Sequence, residues 1–131
     1  MLALQNTSLD SAMFYDARCA ISDYSGMFHP MERKPYPAYY GFMAFSELYR
    51  RRNQVDVEMN IPGVYACAAK DDSTGCIVIA NTTDESVEVF AEVLGGKVAT
   101  KCMQICEGCI WEEREFLNEL PKYSVVYIEF A

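Results

Sequence analysis

The sequence predicts a mainly β protein: an antiparallel β-sandwich preceded by one strand and one α-helix. Three observations carry this. Beyond Gln54 apolar residues recur with a period of two, turn-forming residues interrupt them at short intervals, and before Gln54 a single long run recurs with the period of a helix. The chain has 131 residues, 51% of them hydrophobic and 13% aromatic, which suffices for one packed interior and argues against disorder.

In chain order, the run "SAMFYDA" (Ser11 to Ala17) is expected to form a strand. An irregular stretch with Gly26, Pro30, Pro35 and Pro37 follows. A helix is predicted over "AYYGFMAFSELYRRR", because Ala38, Phe42, Phe45 and Tyr49, with Leu48 alongside, recur at steps of three and four and form a broad apolar stripe. Pro37 suits its first turn and Asn53 its stop. Arg50, Arg51 and Arg52 close it, where their charge complements the negative end of the helix dipole.

The strands expected next are "GVYACAAK" (63–70), "GCIVIANT" (75–82), "SVEVFAEVL" (86–94), "KVATKCMQI" (97–105), a shorter piece near "CIWEEREF" (109–116) and "YSVVYIEF" (123–130). Their connections are "DDSTG", "TDE", Gly95-Gly96, Glu107-Gly108 and "NELPK". In the third run Val87, Val89, Ala91 and Val93 alternate with Glu88, Phe90 and Glu92, as expected of a strand with one mostly wet face. The change of period divides the chain into a strand-loop-helix segment, 1–54, and a sandwich, 55–131. The first segment is too apolar to stand alone, since a single β-α pair offers little partner surface, so it must pack on the sandwich or on another subunit.

Nineteen acidic against eleven basic residues give a net charge of −8, which disfavours nucleic acid and anionic lipid as partners. The N-terminal "MLALQNTSLD" meets Asn6 and Asp10 too early for a signal core, and no window approaches the roughly 20 apolar residues of a membrane span. A cytoplasmic location without membrane contact is therefore expected. In that compartment the six cysteines read as thiols or metal ligands, and the sequons at Asn6 and Asn81 carry no implication of glycosylation.

The stretch "KCMQICEGC" spaces Cys102, Cys106 and Cys109 as C-x3-C-x2-C, the pattern with which radical S-adenosylmethionine enzymes hold an iron-sulfur cluster. Those enzymes need a large domain downstream, whereas 22 residues follow Cys109 here, so no such cofactor is expected. A zinc ion on the same three thiols and a fourth ligand is the milder alternative. The other reading is a cysteine-bearing hairpin with Glu107-Gly108 as its turn, in which Cys106 and Cys109 can join on oxidation. Cys67 and Cys76 fall within apolar strands and read as small buried hydrophobes.

Other constellations point to structure. His29 precedes Pro30 in a loop, with no Gly-x-Ser-x-Gly elbow to build a triad around. Glu112, Glu113 and Glu115 beside Arg114 read as a solvated face, and Asp71-Asp72-Ser73-Thr74 as a tight turn, though weak calcium binding fits it too. Trp111, Tyr65, Tyr123 and Tyr127 are aromatics that a sugar-binding sandwich would use, or that would fill a core.

The phrases "SAMFYDAR", "GMFHPMERKPYPAYYGFMAFSELYR", "VYACAAKDDSTGCIVIANTTDESVEV" and "LPKYSVVYIEF" resemble the C-terminal end of retaining glycoside hydrolases of the β-xylosidase and α-iduronidase-like kind. The resemblance runs from about residue 9 to 130; the helix phrase and Phe14-Tyr15-Asp16 are its most specific parts. It implies the last strand and helix of a (β/α)8 barrel followed by a β-sandwich. It also implies that Tyr15, Asp16 and Arg18, at a strand end, lie at or near a sugar pocket in a full-length relative. A retaining mechanism needs two carboxylates about 5 to 5.5 Å apart, which the resemblance places on earlier barrel strands. The reading is a non-catalytic accessory domain that partners a barrel or a second copy of itself, with a small carbohydrate-binding module as the alternative.

Overall fold

Two runs that never alternate, "GCIVIAN" and "SVVYIEF", lie side by side and set the architecture. The computed structural model describes residues 1–15, 17, 26–89, 97–115 and 118–131. Among them are a helix, α1 (Pro37–Arg51), and eight strands: β1 (Asn53–Val55), β2 (Val64–Lys70), β3 (Gly75–Asn81), β4 (Val87–Glu88), β5 (Ala99–Cys106), β6 (Cys109–Glu113), β7 (Glu119–Leu120) and β8 (Ser124–Phe130). Six form one antiparallel sheet in the order β1-β2-β3-β8-β5-β6, and β4 pairs with β7 in a two-stranded ribbon.

β3 and β8 are central and apolar on both sides, so the sheet is covered on both sides. On one face Cys76 and Val78 of β3 and Tyr127 of β8 meet Ala44 and Leu48 of α1, with Leu2 of a short N-terminal turn of helix beside them. On the other face Ile79, Val126, Ile128 and Phe130 pack on Leu120 of the ribbon and on Val89. This is the mainly β, two-layered arrangement that the period-two runs predict, with a ribbon as the second layer among the described residues. No described helix is long and apolar enough to cross a membrane.

The structure differs from the sequence expectation at four places. Residues 11–15 and Ala17 carry no strand and residues 11–15 are exposed; a strand needs a neighbour for its backbone groups, and among the described residues none pairs with this run. Only part of the predicted stripe meets the sheet: Leu48 is buried with Ala44 and Arg51, and Phe45 packs on the same core, whereas Tyr49 is 83% exposed. Phe42 of that stripe meets Phe14, ring centroids 5.4 Å apart, instead of the sheet. Finally β1 and β7, too short for any period to show, were not expected, and β1 spans the expected division at residue 54. Of the run 86–94, Val87–Glu88 is strand and 90–94 lies outside the described residues, as do Gly95 and Gly96.

Asn81, at the end of β3, ties the two layers together. Its buried amide donates to the carbonyls of Glu85 (2.8 Å), Leu120 (3.3 Å) and Pro121 (3.0 Å), and its Oδ1 accepts from Thr83 N (3.0 Å) and Thr83 Oγ1 (2.7 Å). Next to it Thr82 donates twice to the Gly63 carbonyl. Gly63 has φ +78°, and a Cβ there would stand 2.5 Å from Thr83 Cγ2, so only glycine fits. Because the Asn81 nitrogen is consumed by these bonds, this sequon is closed to modification in the folded chain. Replacing Asn81 with Ala removes the amide from the buried Leu120 carbonyl, leaves the Glu85 and Pro121 carbonyls to Thr83 and Ser124 alone, and frees the Thr83 donors; the expected cost is about 3 kcal/mol, read as a lower urea midpoint with an unchanged m-value.

Candidate functional site

The densest chemistry lies in the seam between α1 and the sheet. It begins at Trp111, which falls in a register shift of β6: Ile105 pairs with Ile110 and Gln104 with Glu112, leaving Trp111 unpaired between them. At φ +55° the backbone turns the indole onto the helix side of the sheet, against the core that Tyr127 and Leu48 share. There it stacks on Tyr40 (6.0 Å, 16° between planes) and tilts against Tyr127 (6.0 Å, 36°). Tyr40 meets Tyr39 edge-on, and Tyr39 meets Phe28, so an aromatic row runs from the loop before α1 to the middle of the sheet.

The row ends in a buried polar group. Tyr127 Oη donates to Glu129 Oε2 (2.8 Å), and the same oxygen receives the Arg51 guanidinium (3.3 Å), which also reaches Glu47 Oε2 (3.4 Å) and the Glu47 carbonyl (3.2 Å). Arg51 is only 7% exposed and its Nε has no hydrogen-bond partner. Burial works against its charge, but Cys76, Tyr127 and Glu129 outweigh it and the guanidinium is held protonated. Burial also raises the Tyr127 phenol well above its usual range, helped by its bond to Glu129, and pushes the Cys76 thiol up to about 11. Sequence reasoning missed this network because Arg51 sat within three arginines that looked alike. The signal was there in Glu47, one turn earlier on the same side.

Of the residues singled out from sequence, Tyr15 is 67% exposed, while Asp16 and Arg18 lie outside the described residues, as does Cys19. Trp111 does not present an open ring, because Tyr40 and Tyr127 occupy it. Tyr127 is buried, and Tyr123 and Tyr65 are exposed, the latter by 41%. Tyr65 lines a cleft of about 450 Å³ with Leu2, Phe45, Val78 and Val125; a second cleft of about 560 Å³ lies by Tyr49, Arg50, Arg52 and Gln54.

The three cysteines do not gather. Cys106 and Cys109 face each other across the hairpin, but Cys102 is a turnless four residues up β5 and packs into the ribbon-side core. Among the described residues no group of three or more His, Cys, Asp and Glu assembles a metal shell. His29 is a loop residue whose Nδ1 accepts from Glu32 N (3.1 Å). Glu112 pairs with Arg114 at the surface (2.6 Å). Asp71 closes the β2-β3 turn by accepting from the amides of Ser73 (2.9 Å) and Thr74 (2.7 Å), which hold its carboxyl well below the usual range.

The fold is similar to part of two bacterial enzymes. A family 30 glycoside hydrolase endoxylanase from Clostridium papyrosolvens matches with a TM-score of 0.62 at 17% identity over 79% of this chain. A family 30 subfamily 8 xylanase from Clostridium acetobutylicum matches with a TM-score of 0.64 at 18% identity over 80%. The chain spans 30% of the length of each. The likeness is one of fold, and it agrees with the expected C-terminal part of a glycoside hydrolase. No family model matches the sequence, and no curated protein matches it.

The buried thiols make a pH prediction. Cys76 and Cys102 are both raised from 9.0 to about 11 by burial, so the folded chain holds their protons longer than the unfolded chain does. Their stabilisation is whole below pH 9 and is lost as pH rises towards 11, by about 2 kcal/mol per thiol. Urea melts at intervals from pH 8 to pH 11 should show that fall, and Cys102→Ala, which leaves Cys76 in place, should make it shallower.

Proposed function

We propose that this chain acts as a non-catalytic accessory domain of a glycoside-hydrolase-like protein, packed against a catalytic body and buttressing it. The observation that carries the reading is the fold match itself: 79–80% of this chain corresponds to only 30% of each xylanase. The remaining length of those enzymes has no counterpart here.

The surface supports the same reading. Among the described residues Tyr49, on one flank of α1, is 83% exposed, bordering an open cleft beside β2, and Met13 and Phe14 of the N-terminal segment are exposed as well. A helix apolar on more than one side belongs inside a larger structure. On this reading the 131-residue chain associates with itself when no other body covers that flank. Light scattering at tens of micromolar is expected to give a dimer or larger species, and Tyr49→Glu is expected to shift it towards monomer without lowering the melting temperature. A monomeric parent chain sinks the proposal of self-association.

The second reading, a small carbohydrate-binding module, is favoured by the exposed ring of Tyr65 over its cleft. Calorimetric titration with xylo-oligosaccharides, with and without glucuronate branches, separates the two. The accessory reading expects no heat at millimolar sugar. Binding that vanishes in Tyr65→Ala would establish the module instead.

A further inference from the structure

We propose that Cys106 and Cys109 form a redox-active dithiol that exchanges with low-molecular-weight disulfides and closes into an intramolecular disulfide at the tip of the β5-β6 hairpin. The two residues are direct cross-strand partners on either side of the two-residue turn Glu107-Gly108, where Gly108 takes φ +75°. Opposed residues of an antiparallel pair have Cα atoms about 4.5 to 5.5 Å apart, inside the roughly 4.4 to 6.8 Å that a disulfide spans, so closure needs no movement of the strands. Both are reduced in this structure, and burial together with the neighbouring Cys109 raises the Cys106 thiol, so its exchange quickens as pH rises.

Their surroundings assign different roles. Cys106 is partly exposed at the turn, its Sγ donating to the Glu107 carbonyl (3.6 Å) and accepting from Gln104 Nε2 (3.7 Å). Cys109 is 4% exposed, donates to the Gln104 carbonyl (3.5 Å), and has the Arg114 guanidinium beside it, itself anchored on Glu112 (2.6 Å). Cys106 is therefore the sulfur that an external disulfide reaches, and Cys109 the one that resolves the adduct. The other described thiols, Cys67, Cys76 and Cys102, are buried in the two cores.

The sequence of steps balances. Deprotonated Cys106 attacks one sulfur of RS–SR, the S–S bond breaks, and RS⁻ leaves and takes up a proton. Deprotonated Cys109 then attacks Cys106 Sγ of the mixed disulfide and expels the second RS⁻. Two protein thiols are oxidised to one disulfide, and one RS–SR is reduced to two RSH. A ring closed over so few residues gains little from loop entropy, which keeps the bond easy to reduce.

The chain carries its own reporter, because its single tryptophan, Trp111, stands two residues beyond Cys109 in the bulge that joins the hairpin to the aromatic row. The test equilibrates the Cys19→Ser variant and the unsubstituted chain in glutathione buffers from fully reduced to fully oxidised, then traps thiols by alkylation and maps peptides. The expected result in both is a Cys106–Cys109 bond, a fall in Trp111 emission that follows its formation, and reversal by dithiothreitol. In the Cys19→Ser background, Cys109→Ser should stop at a glutathione adduct on Cys106, and Cys106→Ser should take up none at Cys109. Alkylation of both cysteines in the oxidising buffer, or a lasting Cys106 adduct in the chain that keeps Cys109, overturns the proposal.

Discussion

A strand that is apolar on both sides must be covered on both sides, and this chain places two of them next to each other. β3 and β8 form the middle of the sheet, and each exposes one apolar row to α1 and another to the β4-β7 ribbon. Everything else is arranged around that demand. The helix lies where it does because Ala44 and Leu48 fit the row of Cys76, Val78 and Tyr127; the ribbon lies where it does because Leu120 fits Ile79 and Val126. With two covers on one sheet, the layers have to be held in register, and Asn81 does this by bonding β3 to the start of the ribbon and to Pro121.

The helix side of the sheet is not a purely apolar contact. Arg51, Glu47, Glu129 and Tyr127 bring charge into the seam, where each ion is costly without its partner. An apolar replacement of the whole set could be as stable, so its value lies in orientation. Arg51 can satisfy Glu129 only if the last turn of α1 stands over the end of β8, which fixes how the helix crosses the sheet. Trp111 acts on the same seam from the other end, since the bulge in β6 places the indole between Tyr40 and Tyr127.

The sheet was legible in the sequence wherever the strands were long. The runs at 63–70, 75–82, 97–105 and 123–130 match β2, β3, β5 and β8 to within a residue or two, because period and turn chemistry agree there: Asp71 to Thr74 and Glu107-Gly108 are turns that their residues specify. What failed was information that lies outside any local window. The run 11–17 has the composition of a strand, yet its described residues, 11–15 and Ala17, form none, since strand formation depends on a neighbour that no local pattern supplies. The helix was visible, but its facing was not, because α1 is apolar on more than one side and periodicity alone cannot say which side meets this sheet. For the candidate site the same limit holds: composition names the aromatic residues, yet only the bulge decides that Trp111 turns inward while Tyr65 stays exposed.

That ambiguity in the helix is itself informative. A sequence evolved to cover one sheet would keep its far side polar, as the strands of this chain keep Glu88 and Lys101 outward. Instead α1 carries Phe42 and Tyr49 on a flank that β3 and β8 do not use, and Phe14 from the N-terminal segment covers only part of it. The second apolar flank costs solubility and adds nothing to the core described above. It is this flank that the accessory-domain proposal assigns to a second packing partner, the place a catalytic body would take.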